Sequence, residues 1–234
     1  MSTSNCTKCG GTTWVLNEYG SYKRCECYEV SKAKELWGNY GVDPKEIKKI
    51  NTYKGYNQDT KIAKKMAIDY VYNFSLKDST WLLLTGKHGG GKTHLSIGIG
   101  AALLDKGIPV VYMPYIESMW ELKANAMDNE YYLKIINRFK KAKVLIIDDL
   151  FKDKVANGKL IAGITDTDIK HFYPILNYRI LNNLQTIIST ECTPEMLISL
   201  DEALAGRMIY SCKKNIVKFS ENCDYRLKEY ECGD

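Results

Sequence analysis

The sequence predicts an α/β chain: a parallel sheet of five strands flanked by helices, with a small cysteine-rich ribbon ahead of it. Three observations predict it. From residue 61 onward, short apolar runs alternate with stretches of helical periodicity, the pattern of repeated strand–helix–strand units. A glycine-rich octet, GKHGGGKT, separates one of those runs from the helix that follows it. Four of the eight cysteines fall within the first 27 residues, as Cys6-x-x-Cys9 and Cys25-x-Cys27.

With 234 residues, 45% hydrophobic and 26% charged, the chain is long enough to bury a core and has the composition of a globular protein rather than a disordered or fibrous one. Its longest run free of polar side chains, residues 97–104, is far below the ~18 residues a membrane span needs. The first residues, Met1 to Asn5, lack the basic and apolar regions of a secretory signal. A cytoplasmic protein with reduced thiols and no membrane partner is expected. The formal charge of +5 permits an anionic partner without requiring one.

The first segment reads as a zinc ribbon. A tetrahedral zinc site needs four soft ligands at ~2.3 Å, which two short cysteine turns joined by a hairpin supply. Residues 12–16 and 21–24 have strand composition around an Asn17-Glu18-Tyr19-Gly20 turn. Cys6, Cys9, Cys25 and Cys27 are the expected ligands, the alternative being four unrelated or disulfide-forming thiols. Cys192, Cys212, Cys223 and Cys232 share no such spacing and read as idle thiols. Lys8, Lys23, Arg24, Lys32 and Lys34 with Trp14, Tyr19 and Tyr22 suit single-stranded nucleic acid, where stacking and phosphate pairing combine. A solvated basic surface with aromatics packing the small core accounts for them equally. The expected organisation is a ribbon over 1–30, a connector over 31–60 and the α/β domain over 61–234. Within the connector, 29–37 carry a helical pattern from its border, Asp43-Pro44 opens a short helix, and 51–58 are turn-rich.

From Lys61, the recurrence of Ile62, Met66, Tyr70 and Phe74 beside Ala63, Ala67 and Val71 marks the buried face of a helix. Residues 81–84 suit a parallel strand covered on both faces. The octet that follows, Gly86-Lys87-His88-Gly89-Gly90-Gly91-Lys92-Thr93, fits G-x-x-x-x-G-K-[ST] in full. It stands between a buried strand and a helix starting near Thr93, where a phosphate loop must be. Its glycines let backbone N–H groups turn inward around the phosphates, and the helix N-terminus adds positive potential. Lys92 is expected at the β/γ-phosphates and the Thr93 hydroxyl on Mg²⁺, with His88 a spacer and His94 beside the same loop.

Residues 109–113 form a second strand, 116–124 and 131–139 read as helices, and 144–149 form a third strand ending in Asp148 and Asp149. This is a Walker B pattern, in which Asp148 holds the Mg²⁺ shell and Asp149 orients the attacking water. Thr165 and Asp168 resemble a capping box that opens a helix through Leu184, with Ile169, Phe172, Leu176 and Ile180 as apolar positions and Pro174 forcing a kink or local adjustment. A fourth strand, 186–189, ends in Thr190 and Glu191, a polar tip placed to sense the γ-phosphate, and 216–219 form a fifth, edge-type strand. Nucleotide belongs at the carboxyl ends of such strands.

These motifs, in this order, resemble the DnaC/DnaI-like helicase loaders of bacteria and phages, a branch of the AAA+ ATPases. The resemblance rests on GKHGGGKTHL at 86–95, LIIDDLF at 145–151, ILNYRI at 175–180, IISTE at 187–191, DEALAGRM at 201–208, DYRL at 224–227 and the cysteine-rich first segment, and so spans nearly the whole chain. It implies a P-loop AAA+ (ASCE-type) fold, ATP hydrolysis, and delivery of a DnaB-type replicative helicase onto single-stranded DNA, with self-association on DNA or helicase. By the same resemblance Arg207 is an arginine finger that reaches a neighbour's γ-phosphate, Arg226 is a carboxyl-terminal nucleotide sensor, and Arg179 faces an interface or the nucleotide. Tyr53 and Tyr56 stand where the family carries aromatics near the adenine. Lys123, Lys134, Arg138, Lys140, Lys141 and Lys143 fall where AAA+ initiators and loaders line a DNA path, a solvated helix face being the alternative.

The chain also departs from the family pattern. Glu191 stands where loaders often carry Asn, which leaves sensing to Thr190. Asp149 stands where most AAA+ ATPases have Glu, and its shorter reach implies slow hydrolysis. No length remains for a helical lid domain. Two other readings stay open. An IstB-like ATPase partner of a transposase has a similar core, and the ribbon counts against it. A zinc-ribbon nucleic-acid-binding regulator with a vestigial ATPase is opposed by the intact Lys92, Thr93, Asp148 and Arg207.

Overall fold

A hairpin of β1 (Trp14–Leu16) and β2 (Tyr22–Arg24) opens the chain in our computed structural model, which describes residues 6–42 and 49–220. The expected helix start at Asp43-Pro44, the motif around Arg226, and Cys223 and Cys232 lie outside the described residues. Trp14 pairs with Arg24 and Leu16 with Tyr22 across the hairpin. Its turn is tied by Asn17, whose Oδ1 accepts the N–H groups of Tyr19 at 3.0 Å and Ser21 at 2.8 Å, a local side-chain turn for which Asn is suited.

Cys25 caps α1 (Glu26–Gly38), a single helix that runs across the border expected at residue 30. Its buried stripe of Val30, Ala33 and Trp37 packs on the main sheet, and the Trp37 indole N–H donates to Val110 O at 2.9 Å. Ile50 and Tyr53, also from the segment read as a connector, join the same core. α2 (Gln58–Tyr72) begins with a capping box between Asn57 and Thr60. Its buried residues are Thr60, Ala63, Ala67 and Tyr70, while Ile62 is 47% exposed. The expected face is therefore observed, with Met66, Val71 and Phe74 packed at its margin and Ile62 alone of its residues turned to solvent.

In spatial order the central sheet is β4 (Val110–Pro114), β5 (Val144–Leu150), β8 (Gln185–Thr190), β3 (Leu82–Gly86) and β9 (Ile216–Phe219), every neighbouring pair parallel. Helix α3 (Lys92–Asp105) follows β3, and α4 (Tyr115–Ala124) and α5 (Asn129–Lys140) lie between β4 and β5. A small antiparallel hairpin, β6 (Val155–Ala156) with β7 (Lys159–Leu160), follows β5. Because strand side chains alternate, Leu82, Leu84, Ile146 and Ile187 enter one core with Trp37, Leu95 and Ile99. Leu83, Leu145, Ile147 and Ile188 enter the other with Phe139 and Phe172. The expected edge position of 216–219 and the doubly covered β3 are both observed.

The helix expected over 165–184 forms in two parts. Thr165 donates its N–H and hydroxyl to Asp168 Oδ2 at 2.8 and 2.7 Å, and the Asp168 N–H returns to Thr165 Oγ1 at 3.3 Å, so the capping box is made. A π-helical turn, Asp168–Phe172, then precedes α6 (Tyr173–Leu181), with Pro174 in the first turn of α6. Proline lacks an N–H and tolerates only a first turn, so the wider turn ahead of it absorbs the mismatch. Ile169 is 51% exposed rather than buried. Between β8 and β9 lie α7 (Pro194–Leu200) and α8 (Glu202–Cys212), capped by Thr193 and Asp201. Among the described residues no helix is long and apolar enough to cross a membrane.

Candidate nucleotide site

The octet occupies the carboxyl edge of the sheet, between β3 and α3. Gly86 has φ +108°, and a Cβ there would lie 2.4 Å from Phe219 O, so only glycine fits. Gly91 caps α3 in the left-handed region at φ +79°, against the Tyr53 ring. The Lys92 side chain is buried along the loop, and its ammonium donates to Gly86 O and Lys87 O at 2.7 Å each. Two of its three protons are thereby committed to the loop itself, which fixes the head and leaves one donor.

Burial pushes the Lys92 pKa down to about 8, against the opposing pull of Glu191, Asp149 and Asp148. A polyphosphate binds the protonated form, so the bound state holds the proton to higher pH than the free state. ATP affinity is accordingly expected to be flat below pH 8 and to fall as pH rises above it, by up to about tenfold per unit, with one proton taken up on binding. Titration calorimetry between pH 7 and 9.5 measures this; a flat profile would place the Lys92 titration outside that range.

Asp148 is buried at the end of β5 and held by three hydroxyls from three elements. Its Oδ1 accepts from Ser96 on α3 at 3.3 Å and from Ser189 on β8, and its Oδ2 accepts from Tyr112 on β4 at 2.9 Å. Asp149 follows in the left-handed region, φ +54°, an uncommon backbone state of the kind that concentrates at functional sites. Its N–H donates to Ser189 Oγ at 3.0 Å, so one hydroxyl positions both aspartates. Burial, and then the neighbouring Asp148 charge, raise the Asp149 carboxyl above the ordinary range. The Thr93 hydroxyl meets no protein partner among the described residues. A free hydroxyl and a fixed carboxylate are hard oxygen donors of the kind Mg²⁺ takes.

Other expected residues fall elsewhere. Thr190 does not reach the loop: its buried hydroxyl donates to Leu150 O at 2.7 Å and accepts the Cys192 N–H at 3.0 Å, which makes it a backbone staple rather than a sensor. Glu191, at the same tip, is ion-paired with Lys152 and acts electrostatically on Lys92. Arg179 is fully buried, contrary to an interface or nucleotide role. Its guanidinium donates to Thr186 Oγ1 at 3.0 Å and to the carbonyls of Phe139 at 2.9 Å, Ala142 at 2.8 Å and Gln185, tying α6 to the entries of β5 and β8. His94 turns its Nε2 to Lys49 O at 3.2 Å, toward the segment before α2. Arg207 is exposed on α8 and donates to Asn177 Oδ1 at 3.0 Å.

Of the basic residues between β4 and β5, Arg138 is engaged by Glu121 at 2.8 Å and the Tyr40 hydroxyl at 2.7 Å, whereas Lys123, Lys141 and Lys143 are exposed. Sequence reasoning missed Ser96, Tyr112 and Ser189. Only Ser189 left a signal, as a polar residue in a strand buried throughout.

At the ribbon, Cys6, Cys9, Cys25 and Cys27 converge with their sulfurs all within 4.8 Å of one another. Cys6 and Cys25 are 3.8 Å apart and Cys9 and Cys27 are 3.6 Å apart. Four sulfurs placed tetrahedrally at ~2.3 Å from one centre stand ~3.8 Å apart, whereas a disulfide needs ~2.05 Å. The donor set fits zinc, and no second cluster of this kind occurs among the described residues.

The family described as "IstB-like ATP binding protein" matches residues 44–168, which include the phosphate loop, Asp148 and Asp149. The phage-like element PBSX protein XkdC of Bacillus subtilis (strain 168) is 34% identical over 226 residues, covering 91% of this chain and 81% of XkdC. YqaM of the same strain is 34% identical over 203 residues, covering 83% of this chain and 62% of that longer protein. In fold, the DnaC helicase loader superposes with a TM-score of 0.59 at 23% identity, over 80% of this chain and 99% of that one. A matched family over half the chain, a relative aligned over most of it and an intact phosphate loop with its paired aspartates agree: the chain belongs to the IstB-like ATP-binding proteins and is a P-loop ATPase of the AAA+ type.

Proposed function

We propose that the protein is an ATP-dependent loader that delivers a DnaB-type replicative helicase onto single-stranded DNA. The observation that carries this reading is the four-sulfur ribbon fastened to the ATPase core through α1 and Trp37, since a cysteine-rich first segment joined to such a core is the arrangement that resembles the loaders. The fold shared with the DnaC helicase loader supports it. In this reading Cys6, Cys9, Cys25 and Cys27 hold zinc. The exposed Trp14, Leu16 and Tyr22 of the hairpin give the ribbon a contact face, and Lys123, Lys141 and Lys143 contribute to the DNA path.

The chemistry follows from the chain's own groups. The remaining Lys92 proton and the inward N–H groups of the loop bind the ATP phosphates, the Gly86 and Lys87 carbonyls keeping the lysine in place. Thr93 and Asp148 would hold Mg²⁺, which when bound neutralises phosphate charge. Ser96, Tyr112 and Ser189 orient Asp148. Asp149, its carboxyl raised by burial, stands as the proton acceptor that orients water. Arg207 is exposed, as a finger directed at a neighbouring copy must be.

The test is capture of the purified host helicase with and without ATP, by wild type and by Cys25→Ser. Elemental analysis is expected to find one zinc per wild-type chain and none in the variant. The variant should lose helicase capture while keeping ATP binding, because metal removal unfolds the small ribbon locally. Full helicase capture by a zinc-free chain would remove the ribbon from the contact. A second reading, the ATPase partner of a transposase, is favoured by the IstB-like family match. Capture of the transposase and not the helicase would establish that one instead.

A further inference from the structure

Tyr53 and Tyr56 precede α2 and reach the carbonyls of the phosphate loop. The buried Tyr53 hydroxyl donates to Gly90 O, and the Tyr56 hydroxyl donates to Gly89 O at 3.3 Å. In a planar trans peptide the C=O and the following N–H point in opposite directions. A carbonyl drawn outward to a phenol therefore turns the next amide inward: Gly90 O directs the Gly91 N–H, and Gly89 O directs the Gly90 N–H. Neither amide meets a protein acceptor among the described residues.

The segment that carries the tyrosines is itself pinned. Lys64 on α2 donates to Tyr53 O at 2.7 Å and Asn51 O at 3.2 Å, and His94, in the first turn of α3, holds Lys49 O. The Tyr53 ring stands edge-on to His94, 5.3 Å between centroids, and a Cβ at Gly91 would lie 2.6 Å from Tyr53 Cε2. The Tyr53 ring thus packs on protein, and burial holds its phenol protonated as a donor.

We propose that Tyr53 and Tyr56 are positioning residues of the ATPase, a two-hydroxyl brace that orients the loop amides for triphosphate, rather than the adenine contacts the family resemblance implies. This rests on reading residues 86–93 as the phosphate cradle, and it is independent of any helicase role. Three glycines in a row would otherwise leave those peptide planes free to rotate, at an entropic cost on binding; the brace removes part of that cost in advance.

Tyr53→Phe and Tyr56→Phe each remove only a hydroxyl. The probes are ATP and inorganic tripolyphosphate, which has no base, with affinities measured on the full chain. Each variant is expected to weaken both ligands by the same factor, about threefold to tenfold, the worth of one hydrogen bond. Tyr70→Phe is the control: that hydroxyl bonds Thr80 O at 3.2 Å on a different part of the chain, so its loss should lower the melting temperature and leave tripolyphosphate affinity unchanged.

Weakened ATP binding with unaltered tripolyphosphate binding would make the tyrosines base contacts and overturn the proposal. So would unchanged affinity for both ligands, or an equal loss in Tyr70→Phe. Should Tyr53→Phe fail to fold, Tyr56→Phe, whose ring is only partly buried, decides by the same outcomes. A wild-type chain that binds no tripolyphosphate refutes the cradle reading and the brace with it, whereas a chain that binds tripolyphosphate and no helicase leaves the brace standing and refutes the loader reading alone.

Discussion

Lys92→Ala is expected to weaken ATP binding sharply, while Asp149→Asn retains it and loses turnover by about 10²–10⁴-fold, the usual worth of a positioned proton acceptor. The two aspects separate because the two residues act on different parts of the reaction. Lys92 is anchored by Gly86 O and Lys87 O, and in the proposed mechanism its remaining proton goes to the ligand, so its removal weakens ground-state binding. The Asp149 N–H is held by Ser189 and its carboxyl is kept basic by burial and Asp148; Asn preserves that backbone bond and the side-chain shape but cannot take a proton. Equilibrium binding and single-turnover hydrolysis on the same preparations distinguish them. The pH dependence gives a second readout. Because the Asp149 carboxyl is raised, turnover should fall on acidification at a higher pH than an ordinary aspartate would allow, and that acid limb should disappear in the residual activity of Asp149→Asn. Equal loss of nucleotide affinity in both variants would make Asp149 a structural or metal-shell residue.

The sequence shows most clearly what a local backbone requirement dictates. The phosphate loop is legible because its glycines, lysine and threonine are contiguous and stand between a wholly apolar strand and a helix. The ribbon is legible because two closely spaced cysteine pairs flank a turn, and the structure brings their four sulfurs together. The partners of Asp148 are not legible: Ser96, Tyr112 and Ser189 come from α3, β4 and β8 and meet only when three parallel strands and a helix align. Side-chain direction was hidden for a similar reason. Thr190 follows Ser189 and therefore points to the opposite face of β8, where Leu150 O takes its hydroxyl. The resemblance gave Arg179 an interface or nucleotide role, and its actual acceptors, main-chain carbonyls of Phe139, Ala142 and Gln185, leave no mark in a sequence. The buried face of α2 was legible because Met66, Tyr70 and Phe74 recur beside Ala63 and Ala67, whose small side chains allow close packing on α3.

Mixing Arg207→Ala with Lys92→Ala is expected to restore ATPase activity that neither variant has alone. Among the described residues the Arg207 side chain makes a single exposed hydrogen bond, to Asn177 on α6, a contact that water or another acceptor replaces at small cost. It is thus free to leave for an acceptor on a neighbouring copy. If it acts there, Arg207→Ala subunits keep their own loop and still bind ATP, but fail to complete a neighbour's site. Lys92→Ala subunits have an empty pocket and a working finger. The interface that joins them is head-to-tail, so in a random equimolar mixture about a quarter of the interfaces pair an intact pocket with an intact Arg207. Activity should therefore reach about a quarter of wild type under conditions where DNA or helicase drives self-association, and fall to the sum of the two variants where it does not. Mixed oligomers must be demonstrated independently, by differently tagged subunits recovered together. Activity that stays at the simple sum in such oligomers would reject the action in trans and leave Arg207 as a surface tie between α8 and α6.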